Sequence, residues 1–183
     1  MTAKAVARTT AQAVVRPSRP AHFVNTMKTI VSLFLLLAFA SVVVAAEDAR
    51  QSREDDVREA VFRWQIAQHD SGQQIEPRII FLQVGEKDGD PTDEFIKRFA
   101  DIKPPVQKGS ECRVSVSTGA LDKKTGKRGL IFRVRSIVWK SDTEVEVKGG
   151  YYEGGRSASG NTYTLKKEKE KWKVTNDKMD WIS

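Results

Sequence analysis

Residues 130–182 constrain the fold more than any other stretch of the chain. They contain four runs in which apolar and polar residues alternate, and short pieces rich in Lys, Ser, Asp and Gly separate these runs. A side-chain period of two residues is typical of β-strands, and strands joined by short turns pair in antiparallel order. The stretch therefore predicts four consecutive antiparallel strands.

One face of this predicted sheet is apolar and the opposite face is polar. The apolar face carries alternating aliphatic and aromatic residues, namely Leu130, Phe132, Val134, Val138, Val145, Val147, Tyr151, Tyr163, Leu165, Trp172 and Val174. Charged residues such as Arg133, Glu146 and Lys166 fall on the other face, which is the division that a sheet with one solvated side needs. Gly149 and Gly150, inside the second run, predict a bend or bulge that curls the sheet.

The segment upstream of these strands predicts elements that cover the apolar face. Ser52 suits a helix N-cap, and the helix would run to about His69 and stop at Ser71 and Gly72. Its predicted buried stripe is Val57, Ala60, Val61, Trp64 and Ala67, widened by Phe62 and Ile66. Trp64 is expected to be the main buried anchor of the helix, whereas Arg63 is expected to contribute little to stability. Residues 77–84 predict a mostly buried strand.

Two shorter elements complete the prediction. Asp90 followed by Pro91 suits the start of a second helix, and Phe95, Ile96 and Phe99 would form its apolar edge. Residues 112–117 predict a further strand with Cys112, Val114 and Val116 on one face. The fold class expected from the whole pattern is α+β, with an N-terminal helix packed on a curved, mainly antiparallel sheet.

Residues 1–46 have the composition of a leader. Within them, residues 27–46 have the layout of a secretory signal peptide, with Lys28, an apolar run over residues 30–40 and Ala46 before a charged stretch. Residues 30–46 number 17, fewer than the about 20 apolar residues that span a bilayer, so cleavage after Ala46 is favoured over an uncleaved membrane anchor. We expect a secreted or periplasmic protein with one domain, residues 47–183.

Residues 1–26 contain no acidic residue and also fit an organelle transit peptide. We favour translation from Met27, because Met27 and Lys28 begin a complete signal peptide. Five of the 31 basic residues and none of the 24 acidic residues lie in residues 1–46, which leaves 26 basic against 24 acidic residues. A near-neutral domain gives no electrostatic reason to bind nucleic acid.

The remaining chain has few groups for metal or acid–base chemistry. Cys112 is its one cysteine and His69 its one histidine, so we predict no metal site, no cofactor and no internal disulfide. Cys112 is interpreted as a small buried apolar residue. The basic loop with Lys123, Lys124, Lys127 and Arg128 is interpreted as a solvated tip, because it has no interleaved aromatic residues for stacking.

The order of elements resembles the cystatin-like folds, and among them the nuclear-transport-factor-2-like group of α+β cones. The resemblance is carried by the helix at 57–69, the turn SDTEVEV, the hairpin GGYYEGG…SGNTYTL and the closing WKV…MDWIS. The same order also resembles a family of exported bacterial proteins without an assigned function. The resemblance implies a pocket between helix and sheet in a group that contains isomerases, dehydratases, polyketide cyclases and non-enzymatic binding or dimerising modules, so fold alone selects no function.

Two functions fit this resemblance. We favour an exported, non-catalytic module that binds a small apolar ligand or a protein partner, with a homodimer through the sheet as one form of partner. Its predicted ligand-binding residues are Trp64, Phe81, Tyr151 and Tyr163, with Tyr152 and a flexible loop at 153–160 on the rim. The alternative is a small enzyme that uses His69 or Asp70 in acid–base chemistry. We predict no catalytic residue, because an exposed helix cap is the simpler interpretation of His69.

Overall fold

A computed structural model describes residues 47–69, 79–103, 105–115 and 117–183. The predicted leader, the predicted helix stop at Ser71 and Gly72, the candidate acid Asp70, and Val116 lie outside these residues. The described residues from 47 onwards belong to one compact unit.

The described chain has α+β architecture, as the sequence predicted. Residues 47–69 are helical (α1). The later elements are β1 (Ile79–Val84), α2 (Asp93–Lys97), β2 (Val106–Lys108), a 3₁₀ turn (Gly109–Glu111), β3 (Cys112–Ser115), β4 (Gly119–Asp122), β5 (Gly129–Ser141), β6 (Glu144–Gly154), β7 (Ser157–Glu168) and β8 (Lys171–Ile182).

Six strands form one sheet in the order β2-β1-β5-β6-β7-β8. Strands β5, β6, β7 and β8 pair with one another in antiparallel order, which confirms the four consecutive strands expected from residues 130–182. Strand β1 instead pairs in parallel with both β2 and β5. The hairpin of β3 and β4 is a separate two-stranded sheet.

Helix α1 begins earlier than the sequence suggested. Ser52 was expected to cap it, but residues 47–51 are already helical. Side-chain pairs four residues apart support this first part, since Arg50 bonds Glu54 at 3.1 Å and Gln51 bonds Asp55 at 2.8 Å. Ser52 is therefore an exposed position inside the helix.

The buried stripe of α1 is rotated relative to the predicted one. Val57, Val61 and Phe62 are fully buried, and the polar Gln65 is only 3% exposed. Trp64 is half-buried at the edge of the core, and Ala67 is exposed. Phe62 and Gln65, rather than Trp64 and Ala67, are therefore the buried positions of this part of the helix.

Helix α2 closes the core over Phe62. Its N-cap is Thr92, whose hydroxyl accepts a hydrogen bond from the backbone N–H of Phe95 at 3.1 Å. The predicted cap at Asp90 is wrong, because the Asp90 carboxylate accepts the backbone N–H of Ser110 at 2.8 Å. The predicted apolar edge is confirmed for the aromatic rings of Phe95 and Phe99, which are buried.

A bulge in β5 changes which residues face the core. The pairing of β5 with β6 shifts between Val134 and Ser136, and one extra residue turns the following side chains to the opposite face. Ile137 and Trp139 therefore pack against the main core, whereas Val138, predicted to be buried, is 47% exposed.

The face of the sheet away from α1, which the sequence marked as polar, carries a second apolar cluster. The side on which α1 packs is called the helix face, and the side that the β3–β4 hairpin covers is called the hairpin face. Ile79, Phe81 and Ile131 of the sheet pack there against Cys112 and Ala120 of the hairpin. Cys112 is buried, which confirms its predicted burial, and that burial raises the pKa of its thiol. Val114, predicted to share this burial, is exposed.

A candidate binding groove on the hairpin face

The four residues predicted to line a ligand pocket do not lie on one side of the sheet. Phe81 packs beneath the β3–β4 hairpin, whereas Tyr163 lies in the core of the helix face. Tyr151 and Trp64 are half-buried at the edge of the helix-face core. The loop predicted at 153–160 is wrong, because β6 extends to Gly154 and β7 begins at Ser157.

Polar groups in the helix-face core are joined by hydrogen bonds. The Gln65 amide donates from Nε2 to the Tyr163 hydroxyl at 3.0 Å and to the Gly150 carbonyl at 3.1 Å. Burial raises the pKa of the Tyr163 hydroxyl far above its ordinary value, so Tyr163 stays protonated. The buried Oε1 of Gln65 accepts no hydrogen bond from the described residues.

A second series of hydrogen-bonded side chains starts near Gln65 and Tyr163 and reaches the surface at Asp177. The Asp177 carboxylate accepts hydrogen bonds from the Trp64 indole at 3.1 Å and from the Asn161 amide at 2.6 Å. Asn161 in turn accepts the Ser159 hydroxyl at 2.6 Å. These bonds tie α1 to β7 and β8 and satisfy polar groups that the sheet buries.

His69, the candidate general base, is packed rather than solvated. Its ring meets the Tyr151 ring edge to face at a centroid distance of 4.3 Å and the Phe132 ring at 5.1 Å. Its Nδ1 lies 3.1 Å from the carbonyl oxygen of Gln65, one turn earlier in α1. The interpretation of His69 as an exposed cap is therefore wrong, and its contacts are those of a residue that closes the end of the core.

The hairpin face contains a groove that the strand register creates. Arg133 of β5 pairs with Gly150 of β6, Gly150 pairs with Gly160 of β7, and Gly160 pairs with Trp181 of β8. This row thus places two large side chains on the outer strands and none on the two strands between them. Adjacent strands lie about 4.8 Å apart, so the backbones that carry the two large side chains are about 14 Å apart, and the Trp181 indole fills part of that width over Gly160.

Neither floor position accommodates a side chain. Gly150 has φ of +150°, and a Cβ placed there would lie 2.0 Å from the carbonyl oxygen of Ser159. A Cβ on Gly160 would lie 2.1 Å from Nε1 of Trp181, because the indole extends across this glycine. Trp181 nevertheless remains 53% exposed, so part of its indole surface faces solvent.

One wall of the groove is cationic. Asp88, held in a tight turn after β1, accepts two hydrogen bonds from Arg135, each of 3.1 Å. The same carboxylate lies 3.5 Å from Nε of Arg133, which also donates to Oε1 of Gln83 at 2.8 Å. One carboxylate therefore holds two guanidinium groups in place, and Lys148 adds a third positive charge to the lining.

The groove has defined ends and a modest size. The β3–β4 hairpin covers one end, where Gly119 packs against the backbone of Glu153, and Arg133 lies over the ring of Tyr152 at 5.6 Å. Lys148 and Asp180 line the other end. The groove is open to solvent on one side, and its volume of about 290 Å³ is just below the roughly 300–1,000 Å³ typical of small-ligand sites.

A second depression lies between α1 and the turn that joins β7 to β8. It has a volume of about 420 Å³, and its lining includes Asp56, Glu59, Arg63 and Trp172. Its carboxylates already have cationic partners, since Arg63 bonds Glu59 at 2.8 Å, Arg98 bonds Asp56 at 2.8 Å and Lys167 bonds Glu170 at 2.6 Å. A ligand there would have to displace existing ion pairs, which makes it a weaker candidate than the groove.

Sequence reasoning missed Arg133 and Trp181 as site residues. Both look like ordinary positions of a solvated face or a chain end, and only the register brings them into one row with the glycines. The signal present in the sequence was the pair of glycine-containing stretches, GG at 149–150 and SASG at 157–160.

Comparison of the chain with protein-family models, with curated proteins and with solved structures found no match. Among the described ranges, no helix is long and apolar enough to cross a membrane. No group of three or more His, Cys, Asp or Glu side chains suited to a metal ion occurs in the part of the chain that the structure describes.

Proposed function

We propose that this protein is an exported, non-catalytic binding module and that it binds its ligand in the groove between Arg133 and Trp181. The single observation that carries the proposal is the in-register row of Arg133, Gly150, Gly160 and Trp181. The row combines a concave floor, a fixed cationic wall and an exposed indole, and small-molecule sites need such a concave surface with a few placed polar groups.

The finer fold assignment is part of the same proposal. We propose that α1 and the sheet form a cystatin-like cone of the nuclear-transport-factor-2-like group. Support comes from α1 lying across four antiparallel strands and from the bulges that bend β5 and β8. In this assignment the groove lies on the outer surface of the cone, whereas the predicted apolar pocket would lie inside it.

The interior of the cone supports an enzyme less well than the groove supports binding. Tyr163 is held protonated and hydrogen-bonded to Gln65, so it does not serve as a base near neutral pH. His69 packs against Tyr151, and its Nδ1 contacts the carbonyl oxygen of Gln65. Both candidate groups therefore have structural contacts that chemistry would have to break.

Pairing of a partner strand with the sheet edge is also disfavoured. Strand β8 lies at the edge, but its pairing with β7 shifts twice, once at Thr175 and once at Asp180. Bulges and lysines on edge strands hinder the addition of another strand, and β8 carries Lys171, Lys173 and Lys178. The groove is therefore the preferred binding surface over a homodimer through this edge.

A fragment screen followed by two-dimensional NMR tests the binding site. The protein is purified after expression of the full chain, and a library of neutral, anionic and cationic fragments is added. We expect the fragments that bind to shift the backbone amide signals of Gly149, Gly150 and Gly160, because these amides form the floor of the groove.

The variant Trp181→Ala should abolish these shifts, whereas Trp139→Phe, a change in the helix-face core, should preserve them. Shifts that centre instead on Tyr151 and His69 would place the ligand site inside the cone and contradict the proposal. An enzyme would be indicated by turnover that His69→Ala removes.

Export is tested separately by N-terminal sequencing of the secreted protein. We expect the sequence to begin at or near Glu47, because residues 27–46 have the layout of a cleaved signal peptide. Recovery of the protein in a membrane fraction with Met1 or Met27 at its N-terminus would contradict cleavage and favour an anchor.

A further inference from the structure

We infer that the ligand of the groove is a small ring compound that carries a carboxylate. This inference rests on the proposed function and specifies the chemistry of the ligand. It is argued from two features of the lining: the cationic wall formed by Arg133, Arg135 and Lys148, and the exposed ring of Trp181 opposite that wall.

The charge of the lining selects an anion. Three cations and one carboxylate, Asp180, face the groove, and the Asp180 carboxylate already accepts the Thr162 hydroxyl at 2.6 Å. Asp88 neutralises part of the positive charge of this wall. It accepts hydrogen bonds from only two of the N–H donors of Arg135. A guanidinium has five N–H donors, so Arg135 retains donors for a second carboxylate.

The wall is also fixed in position before a ligand arrives. Arg133 is held by Gln83, Asp88 and the ring of Tyr152, and burial lowers the pKa of its guanidinium without removing its charge at neutral pH. Side chains that are already ordered lose less conformational entropy on binding. The groove is therefore organised to receive a negative charge at its β5 side.

The opposite side of the groove suits a ring. The indole of Trp181 extends across Gly160 and is 53% exposed, so it presents a flat apolar surface beside the glycine floor. Indoles stack with aromatic rings and with the C–H faces of sugars through the same dispersion contacts. The volume of about 290 Å³ limits the ligand to a small molecule, on the scale of one six-membered ring with a carboxylate.

The same chemistry is present in aromatic carboxylates and in acidic sugars. Benzoate and galacturonate are therefore titrated separately into the protein, and amide shifts of Gly150 and Gly160 are followed by NMR. Benzamide serves as the neutral counterpart of benzoate and galactose as the neutral counterpart of galacturonate. We expect at least one of the two carboxylates to bind at least about tenfold more tightly than its neutral counterpart.

Four variants assign the contacts. Arg135→Gln and Lys148→Gln should each weaken binding of that carboxylate by about tenfold, since each removes a charged hydrogen-bond donor. Trp181→Ala should weaken it by a similar factor of about ten through loss of stacking. The matched control is Lys166→Gln, which removes the same charge from an exposed position of β7 outside the groove lining and should leave affinity unchanged.

The outcomes separate this inference from the proposed function. Binding of benzoate alone assigns aromatic carboxylates, and binding of galacturonate alone assigns acidic sugars; both support the inference. If neutral or cationic fragments shift the groove amides and neither carboxylate does, the inference fails while the proposed function stands. Equal losses from Lys148→Gln and Lys166→Gln would show unspecific charge attraction and also overturn it.

Discussion

Replacing Phe62 with alanine is expected to lower the free energy of unfolding by about 3–5 kcal/mol. Phe62 is fully buried on α1, and its ring meets those of Phe95 and Phe99 edge to face at 6.1 and 6.3 Å. The change removes the aromatic contacts between α1 and α2 and leaves a cavity between them. Because a domain is typically stable by about 5–15 kcal/mol, urea unfolding should show a large shift of the midpoint.

Trp64→Ala is the matched comparison, since the sequence pattern marked Trp64 as the buried anchor. Trp64 is half-buried, and its indole donates to the exposed carboxylate of Asp177. We therefore expect a clearly smaller loss from Trp64→Ala than from Phe62→Ala. Equal losses would mean that α1 presents a different face to the sheet.

Arg63 makes contacts that the sequence pattern of α1 does not indicate, although it was expected to contribute little to stability. Its guanidinium bonds Glu59 at 2.8 Å, Asp101 at 2.9 Å and the carbonyl oxygen of Arg98 at 2.7 Å. The partners Asp101 and Arg98 are more than 30 positions away in the chain, so the helical pattern contains no sign of them. A residue that looks like a solvated charge therefore links α1 to the end of α2.

The strands of residues 130–182 were predictable because their signal is local. Alternation of apolar and polar residues, together with short turns, determines both the strands and their antiparallel order. The bulge between Val134 and Ser136 was not predictable, because an extra residue in an alternating run does not change the types of residue found there. Its effect is visible at Val138, which the uninterrupted period placed in the core and the bulge exposes.

The position of β1 also lay beyond the sequence pattern. Residues 79–84 are a buried apolar run, which predicts a strand but not its neighbours. Its insertion between β2 and β5 in parallel orientation buries both of its faces, one beneath α1 and one beneath the β3–β4 hairpin. That arrangement separates Phe81 from Tyr163, which the predicted pocket had placed together.

The groove was unpredictable for a related reason. Arg133 and Trp181 are 48 positions apart, and they meet across the two glycines only through the registers of three successive strand pairs. The glycine pair at 149–150 was predicted to bend the sheet, and the bulge in β5 does lie opposite it. Its second effect, the absence of side chains from the floor of a groove, required knowledge of Gly160 as its partner.

Changing Gln65 to glutamate should lower the free energy of unfolding by several kcal/mol at neutral pH. Gln65 is 3% exposed, and its Nε2 donates to the Tyr163 hydroxyl and to the carbonyl oxygen of Gly150. A carboxylate there would face that carbonyl without a donor of its own, in a site where burial, together with the Asp177 charge, raises the pKa of Tyr163. Burial should therefore raise the pKa of the new glutamate in the folded protein above its unfolded value of about 4.3.

The raised folded-state pKa of this glutamate determines how the stability of the variant changes with pH. Below about pH 4 the glutamate is protonated in both states, so the variant should approach the stability of the unchanged protein. As the pH rises through the unfolded pKa, only the unfolded chain ionises, and stability falls by about 1.4 kcal/mol per pH unit up to the folded pKa. If the folded pKa reaches 7, the loss at pH 7 is about 4 kcal/mol.

Gln68→Glu is the control, because Gln68 is exposed on the same helix and the substitution adds the same charge. Urea unfolding of both variants between pH 4 and pH 7 should give a difference that widens with pH, with Gln65→Glu always the less stable. A difference that is constant over this range would mean that residue 65 is solvated in the folded protein. The hydrogen bonds from Gln65 to Tyr163 and Gly150 would then not hold α1 against the sheet.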